Sequence, residues 1–102
     1  MKSRYDVLVV GGGPSGLRLA GRLAAAGLDV RVLEKKNAVG QNVVCTGIVG
    51  EEIFARFGLE SRAVVQEIRD VRLVSPLGTE VTYSHPRPFA CVVDRERFDA
   101  SL

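Results

Sequence analysis

Gly11, Gly13 and Gly16 stand in a G-x-G-x-x-G spacing directly after the apolar run Val7-Leu8-Val9-Val10 and before a helix-like stretch from Leu17. A glycine triad alone is a weak signal, because glycine-rich turns are common. Here it arrives with the context it needs. Gly27 stops the helical stretch, Leu28, Val30 and Val32 alternate as a second strand, and Glu34 closes it, roughly twenty residues after the third glycine. Strand, glycine turn, helix, strand and terminal acid in that order describe a βαβ unit built to hold a dinucleotide. The alternative is a glycine-rich turn that binds nothing.

Each part of this pattern has a physical task. Gly11 permits the tight turn out of the strand, Gly13 keeps no side chain between backbone and a pyrophosphate, and Gly16 lets the helix approach the sheet. Pro14, within the same turn, is kept as a cofactor-binding candidate. The phosphates belong against the backbone N–H groups around Ser15 and Gly16, at the positive end of the helix. Gly16, Ala20 and Ala24 repeat every four residues and predict a close-packing helix face. A carboxylate at Glu34 accepts both hydroxyl protons of an unmodified ribose and repels a 2′-phosphate, favouring FAD or NAD over NADP. Lys35 and Lys36 beside it read as a solvated loop edge whose cations can also meet a phosphate; Lys35 is kept as a cofactor-side candidate.

The rest of the chain is read from changes of period. Residues 35–49 form a loop long enough to suggest function rather than mere connection. Glu51 to Phe57 reads as a short helix with Ile53, Phe54 and Phe57 on its apolar side and Gly58 as its stop. Val71 and Leu73, with Ile68, then alternate with charged residues. Pro76-Leu77-Gly78 turns, Val81-Thr82-Tyr83 returns, and Phe89 to Val93 forms a further apolar strand. The expected fold class is therefore α/β: a Rossmann-type βαβ unit, a short helix and an antiparallel β meander. Residues 1–68 are assigned to the ADP-half binding unit, 69–93 to antiparallel strands partly of a substrate domain, and 94–102 to a helix returning to the first domain. That last stretch has Asp94 as cap and Phe98 and Leu102 on one face.

Composition sets limits on partners. The 102 residues suffice for one small domain and fall short of most dinucleotide enzymes. The expectation is an N-terminal fragment of a larger FAD/NAD(P)-binding fold. A net charge of +2 without basic runs argues against nucleic acid. No apolar stretch is long enough for a signal core or a span, so cytoplasmic residence is the default. Cys45, Cys91 and the single His85 show no metal-ligand spacing.

Tyr5-Asp6-Val7 through Gly16, the loop Val39-Gly40-Gln41-Asn42-Val43-Val44-Cys45-Thr46-Gly47, and Val93-Asp94-Arg95-Glu96-Arg97-Phe98-Asp99 together resemble FAD-dependent oxidoreductases of the geranylgeranyl reductase family, within the para-hydroxybenzoate hydroxylase-like fold. The Cys45-Thr46-Gly47 loop is the discriminating piece, although Thr46 replaces a glycine usual in that family. The resemblance implies FAD as cofactor and reduction of isoprenoid carbon–carbon double bonds by hydride from reduced flavin, with NAD(P)H as electron donor. It also implies peripheral membrane contact, and places Cys45 and Thr46 in a loop reaching the flavin ring and Arg95 near the cofactor.

Two readings of Cys45 stay open, a catalytic thiol and a small hydrophobe packed inside. Cys91 reads as core, His85 as a surface loop residue, and Arg69 to Arg72 as the wet face of a sheet. Two other functions are open besides the reductase: an aromatic hydroxylase or monooxygenase of the same fold, and a non-catalytic dinucleotide-binding or structural remnant. A chain this short is also expected to be inactive alone and to self-associate along Val7–Val10 and Phe89–Val93.

Overall fold

The computed structural model describes residues 2–102. In chain order the elements are β1 (Val7–Val10), α1 (Pro14–Ala25), β2 (Val30–Leu33), β3 (Ile48–Gly50), α2 (Glu52–Phe57), β4 (Val64–Ile68), β5 (Asp70–Val74), β6 (Glu80–Ser84), β7 (Ala90–Val93) and α3 (Arg95–Ser101). A 3-10 turn, Ser61–Ala63, precedes β4. They gather into two compact units. One comprises the chain up to Val44 together with Arg95–Leu102; the other is Cys45–Asp94.

The first unit is the expected βαβ motif. β1 and β2 pair in parallel, in register from Val7 opposite Val30 to Val10 opposite Leu33. A parallel pair needs a crossover, and α1 supplies it. The ladder runs one step past the strand, because the Gly11 N–H donates to the Leu33 carbonyl at 2.7 Å. Pro14 sits at the start of α1, so the helix begins three residues earlier than the apolar period suggested. At its far end Gly27 takes φ +89°, and the Leu28 N–H returns to the Leu23 carbonyl at 3.1 Å.

Burial in this unit centres on Val9 of β1, Ala20 of α1 and Phe98 of α3. The small-residue face is narrower than Gly16, Ala20 and Ala24 implied, since Ala24 is exposed. Besides Gly16, close approach is made at Gly21, where an added Cβ would lie 3.3 Å from the Leu102 carbonyl oxygen. Leu8, Val10 and Leu33 point away from the buried side and stay exposed.

In the second unit β7 is the central strand of an antiparallel sheet ordered β3-β7-β4. Its position follows from sequence: Ala90, Cys91 and Val93 are all buried, the near-continuous apolar content a central strand requires. Cys91 faces Val49 on β3 and Glu67 on β4, and the β4 register shifts between Val64 and Gln66. The 3-10 turn is tied to the end of β7 by the Asp94 N–H, which donates to the Ala63 carbonyl at 2.8 Å.

β5 and β6 form a separate antiparallel hairpin, with Val71 opposite Tyr83 and Leu73 opposite Val81. Its turn is closed by the Ser75 N–H on the Thr79 carbonyl at 2.8 Å and by Gly78 at φ +86°.

Several expectations are corrected here. The antiparallel strands divide into a three-stranded sheet and the β5–β6 hairpin. β3 lies at the end of the stretch read as loop, too short at three residues to show a period. β4 escaped notice because Val65 and Glu67 face out while the expected alternation is broken by the register shift. Ile68 ends β4 rather than joining the hairpin. On α2 only Ile53 and Phe54 are partly covered, and Phe57 is exposed.

Gly16 and Gly13 differ sharply in what they meet. A Cβ on Gly16 would overlap the Gly11 carbonyl oxygen and crowd Val9 at 3.3 Å, whereas one on Gly13 meets nothing within 4 Å. Gly16→Ala should therefore destabilise the chain by about 1–3 kcal/mol in thermal or denaturant unfolding. Gly13→Ala should leave stability nearly unchanged. Equal losses at the two positions would contradict this packing account.

Candidate dinucleotide site

The end of β2 delivers Glu34 to the glycine turn that leaves β1. Its Oε2 accepts the Gly12 N–H at 2.6 Å and its Oε1 accepts the Lys36 N–H at 3.1 Å. The Lys36 and Gly12 amides hold the Glu34 carboxyl below its ordinary value, with partial desolvation opposing them and the Lys35 amide and Lys36 charge adding to them. The group is thus ionised well below neutral pH, the state that accepts ribose hydroxyls.

Gly12 occupies the variable position between two fingerprint glycines. A Cβ there would stand 2.9 Å from Glu34 Oε2 and 3.2 Å from Val39 Cγ1. The run of three consecutive glycines was the available signal.

The start of α1 is unguarded by protein groups. Gly13 occupies the N-cap in extended conformation, no side chain caps it, and no acidic residue stands in the first turn. Leu17 makes an early helical bond, its N–H reaching the Gly13 carbonyl at 2.9 Å. The first-turn amides around Ser15 and Gly16 therefore offer their dipoles to an anion. Gly13 adds the second half of the fit. No protein contact forbids a side chain there, so the room it leaves suits a ligand approaching the backbone.

Lys36 is committed elsewhere, its Nζ donating to the Gln41 carbonyl at 2.6 Å. Lys35 is exposed and lines an open groove of about 520 Å³ with Val10, Arg31, Val32, Leu33 and Glu34.

Gly40, at φ +69°, packs so close to α3 that an added Cβ would overlap the Arg95 carbonyl. Through Val39 and Gly40 the start of α3 is thereby linked to the glycine turn. Arg95 Nε and Nη2 donate to Asp99 Oδ1 and Oδ2 at 2.9 and 3.1 Å, and Asp99 is 1% exposed. Asp99 was not singled out in the sequence, although the Arg/Asp spacing of four was visible. The first unit thus joins Glu34 to the glycine turn through Gly12 and sets the Arg95 backbone against Gly40.

Cys45 and Thr46 belong to the other unit and are exposed. The Gly47 N–H donates to Cys45 Sγ at 3.3 Å. Cys91 is fully buried, and burial, followed by the Glu51 carboxylate, pushes its thiol pKa up. That is the core residue the sequence implied. His85, read as a surface loop residue, is partly covered, its ring 6.1 Å from Phe89. Among the described residues no cluster of His, Cys, Asp and Glu could hold a metal ion. No helix among them is long and apolar enough to cross a membrane.

This strand–turn–helix with its acid at the end of β2 defines a nucleotide-binding α/β protein. Residues 4–87 match the family model described as FAD binding domain, and the chain belongs to that family. It is 36% identical over its whole length to digeranylgeranylglycerophospholipid reductase of Methanoculleus marisnigri, of which it covers 27%. It is 34% identical to geranylgeranyl diphosphate reductase of Rhodobacter capsulatus, covering 25% of that protein. A geranylgeranyl bacteriochlorophyll reductase-like protein from Thermoplasma acidophilum superposes with a TM-score of 0.82 at 27% identity, over 94% of this chain and 26% of that one. The chain spans about a quarter of the length of the curated relatives it matches.

The Glu34 bonds fix a pH dependence. A carboxyl whose pKa is depressed on folding contributes stability that is fully present above its unfolded value and is lost as pH falls through the lower folded value. In an NMR titration the Gly12 and Lys36 amides should therefore shift together, with a midpoint below the ordinary glutamate value. A midpoint at or above that value would contradict the bonding described.

Proposed function

We propose that the chain is the part of an FAD-dependent oxidoreductase that holds the ADP half of the cofactor. In the complete protein that activity is reduction of isoprenoid carbon–carbon double bonds. The observation that carries the reading is the pairing of an uncapped α1 start, open at Gly13, with an ionised Glu34 at the end of the adjacent strand. In this assignment the amides around Ser15 and Gly16 take the pyrophosphate, with Pro14 fixing the turn. Glu34 takes the adenosine ribose, and Lys35 and Arg95 supply positive charge. When bound, FAD supplies the hydride chemistry, with NAD(P)H as the donor that reduces it.

The substrate class rests on the relatives, whose names specify geranylgeranyl groups on a glycerophospholipid and on a diphosphate. Those names support the reductase over an aromatic hydroxylase. A lipid substrate also supports peripheral contact with a membrane, with the bulk of the protein in the cytoplasm. Cys45 and Thr46 are assigned to the flavin side. The exposed Cys45 thiol is the candidate catalytic group, its role to influence turnover rather than to retain cofactor. Leu8 and Val10, exposed on β1, support self-association of the chain on its own along Val7–Val10, whereas the expected edge at Phe89–Val93 is closed because β7 lies between β3 and β4.

The test is a calorimetric titration with ADP and FAD. The wild-type chain should bind ADP, and Glu34→Ala should weaken that binding roughly ten- to a hundredfold, the worth of a charge-assisted hydrogen bond. A wild-type chain that binds neither ligand, or a Glu34→Ala chain that binds as wild type, would overturn the assignment.

A further inference from the structure

Asp99 is the most deeply buried charged side chain among the described residues, 1% exposed, on a seven-residue helix. A carboxylate is rarely taken so far from water without a partner that compensates it. Both of its oxygens accept from one guanidinium, at 2.9 Å from Nε and 3.1 Å from Nη2. Such two-point bonding fixes the plane and direction of the arginine as well as its distance. The two side chains are unequally covered. Arg95 keeps 19% of its side-chain surface in solvent, so the charge the pair presents outward is the arginine's.

The place where it is presented matters. The Arg95 backbone lies against Gly40, whose neighbour Val39 packs against Gly12 of the glycine turn. A stability role alone does not account for this choice of residues, because an apolar pair of similar volume commonly serves a buried position as well or better. A long arginine that is already held still loses little side-chain freedom when an anion arrives.

We propose that Asp99 is a positioning residue. It holds the Arg95 guanidinium in the orientation that meets the negatively charged phosphates of a nucleotide diphosphate, and acts on the ligand only through Arg95. This rests on the cofactor reading above and adds to it the residue that sets the arginine.

A double-mutant cycle in the full chain tests it, with ADP and adenosine as probes. Asp99→Asn should weaken ADP binding about three- to tenfold, the worth of one misdirected hydrogen bond, and leave adenosine binding unchanged. In an Arg95→Ala background the same substitution should have no further effect on ADP. The sign is informative, since removing a negative charge would by Coulomb attraction alone tighten ADP. Tighter or unchanged ADP binding in Asp99→Asn, or an equal loss with and without Arg95, would overturn the proposal while leaving the cofactor reading intact. A wild-type chain that does not bind ADP would overturn the cofactor reading and this proposal with it.

Should Asp99→Asn fail to fold, the wild-type Arg95 Nε–H resonance provides the second measurement. It should exchange slowly with solvent and shift on addition of ADP but not adenosine. A resonance that moves equally with both, or with neither, would overturn the proposal.

Discussion

The hydrogen bond from the Gly12 amide to the Glu34 carboxylate is the contact on which the nucleotide-facing end of this protein depends. It joins the turn after β1 to the end of β2, two points that the parallel ladder brings side by side but does not itself lock. It also explains why three glycines follow one another. Gly11 turns at φ +102°, Gly12 leaves room for Glu34 and Val39, and Gly13 opens the start of α1. The same carboxylate that organises the turn is the group assigned to the ribose, so the site is shaped before a ligand arrives.

Pre-organisation recurs at α3. Gly40 admits the Arg95 backbone, and the Asp99 carboxylate holds the Arg95 side chain. Three separated stretches of sequence are thus drawn together by contacts that mostly involve glycine or a carboxylate. Few large apolar side chains are involved: Val9, Ala20 and Phe98 make up the buried apolar set of this unit. The second unit is built differently. There the central strand β7 buries Ala90, Cys91 and Val93 between two antiparallel neighbours, and Cys45 sits exposed just ahead of β3.

Much of the first unit was legible in sequence because its signals are local. An apolar run, a glycine fingerprint, a helical period and a terminal acid each occupy a few residues, and their order carries the topology. What escaped was what depends on distant pairing. β3 and β4 are strands only because β7 lies between them, and three residues or a bulged five carry no clear alternation. Gly12 was hidden by its place as a variable position. Asp99 was hidden because a helical aspartate normally faces water, and only the fold shows that this one is buried.

We propose that the glycine turn, the start of α1 and Glu34 form one nucleotide site. It is tested most directly by following backbone amide resonances of the labelled chain during titration with ADP. The largest shifts should fall on Gly12, Gly13, Ser15 and Gly16, with Glu34 and Lys36 moving at the same ligand concentrations. Saturable shifts confined to the β5–β6 hairpin and the β3-β7-β4 sheet, with the glycine turn unmoved, would contradict it.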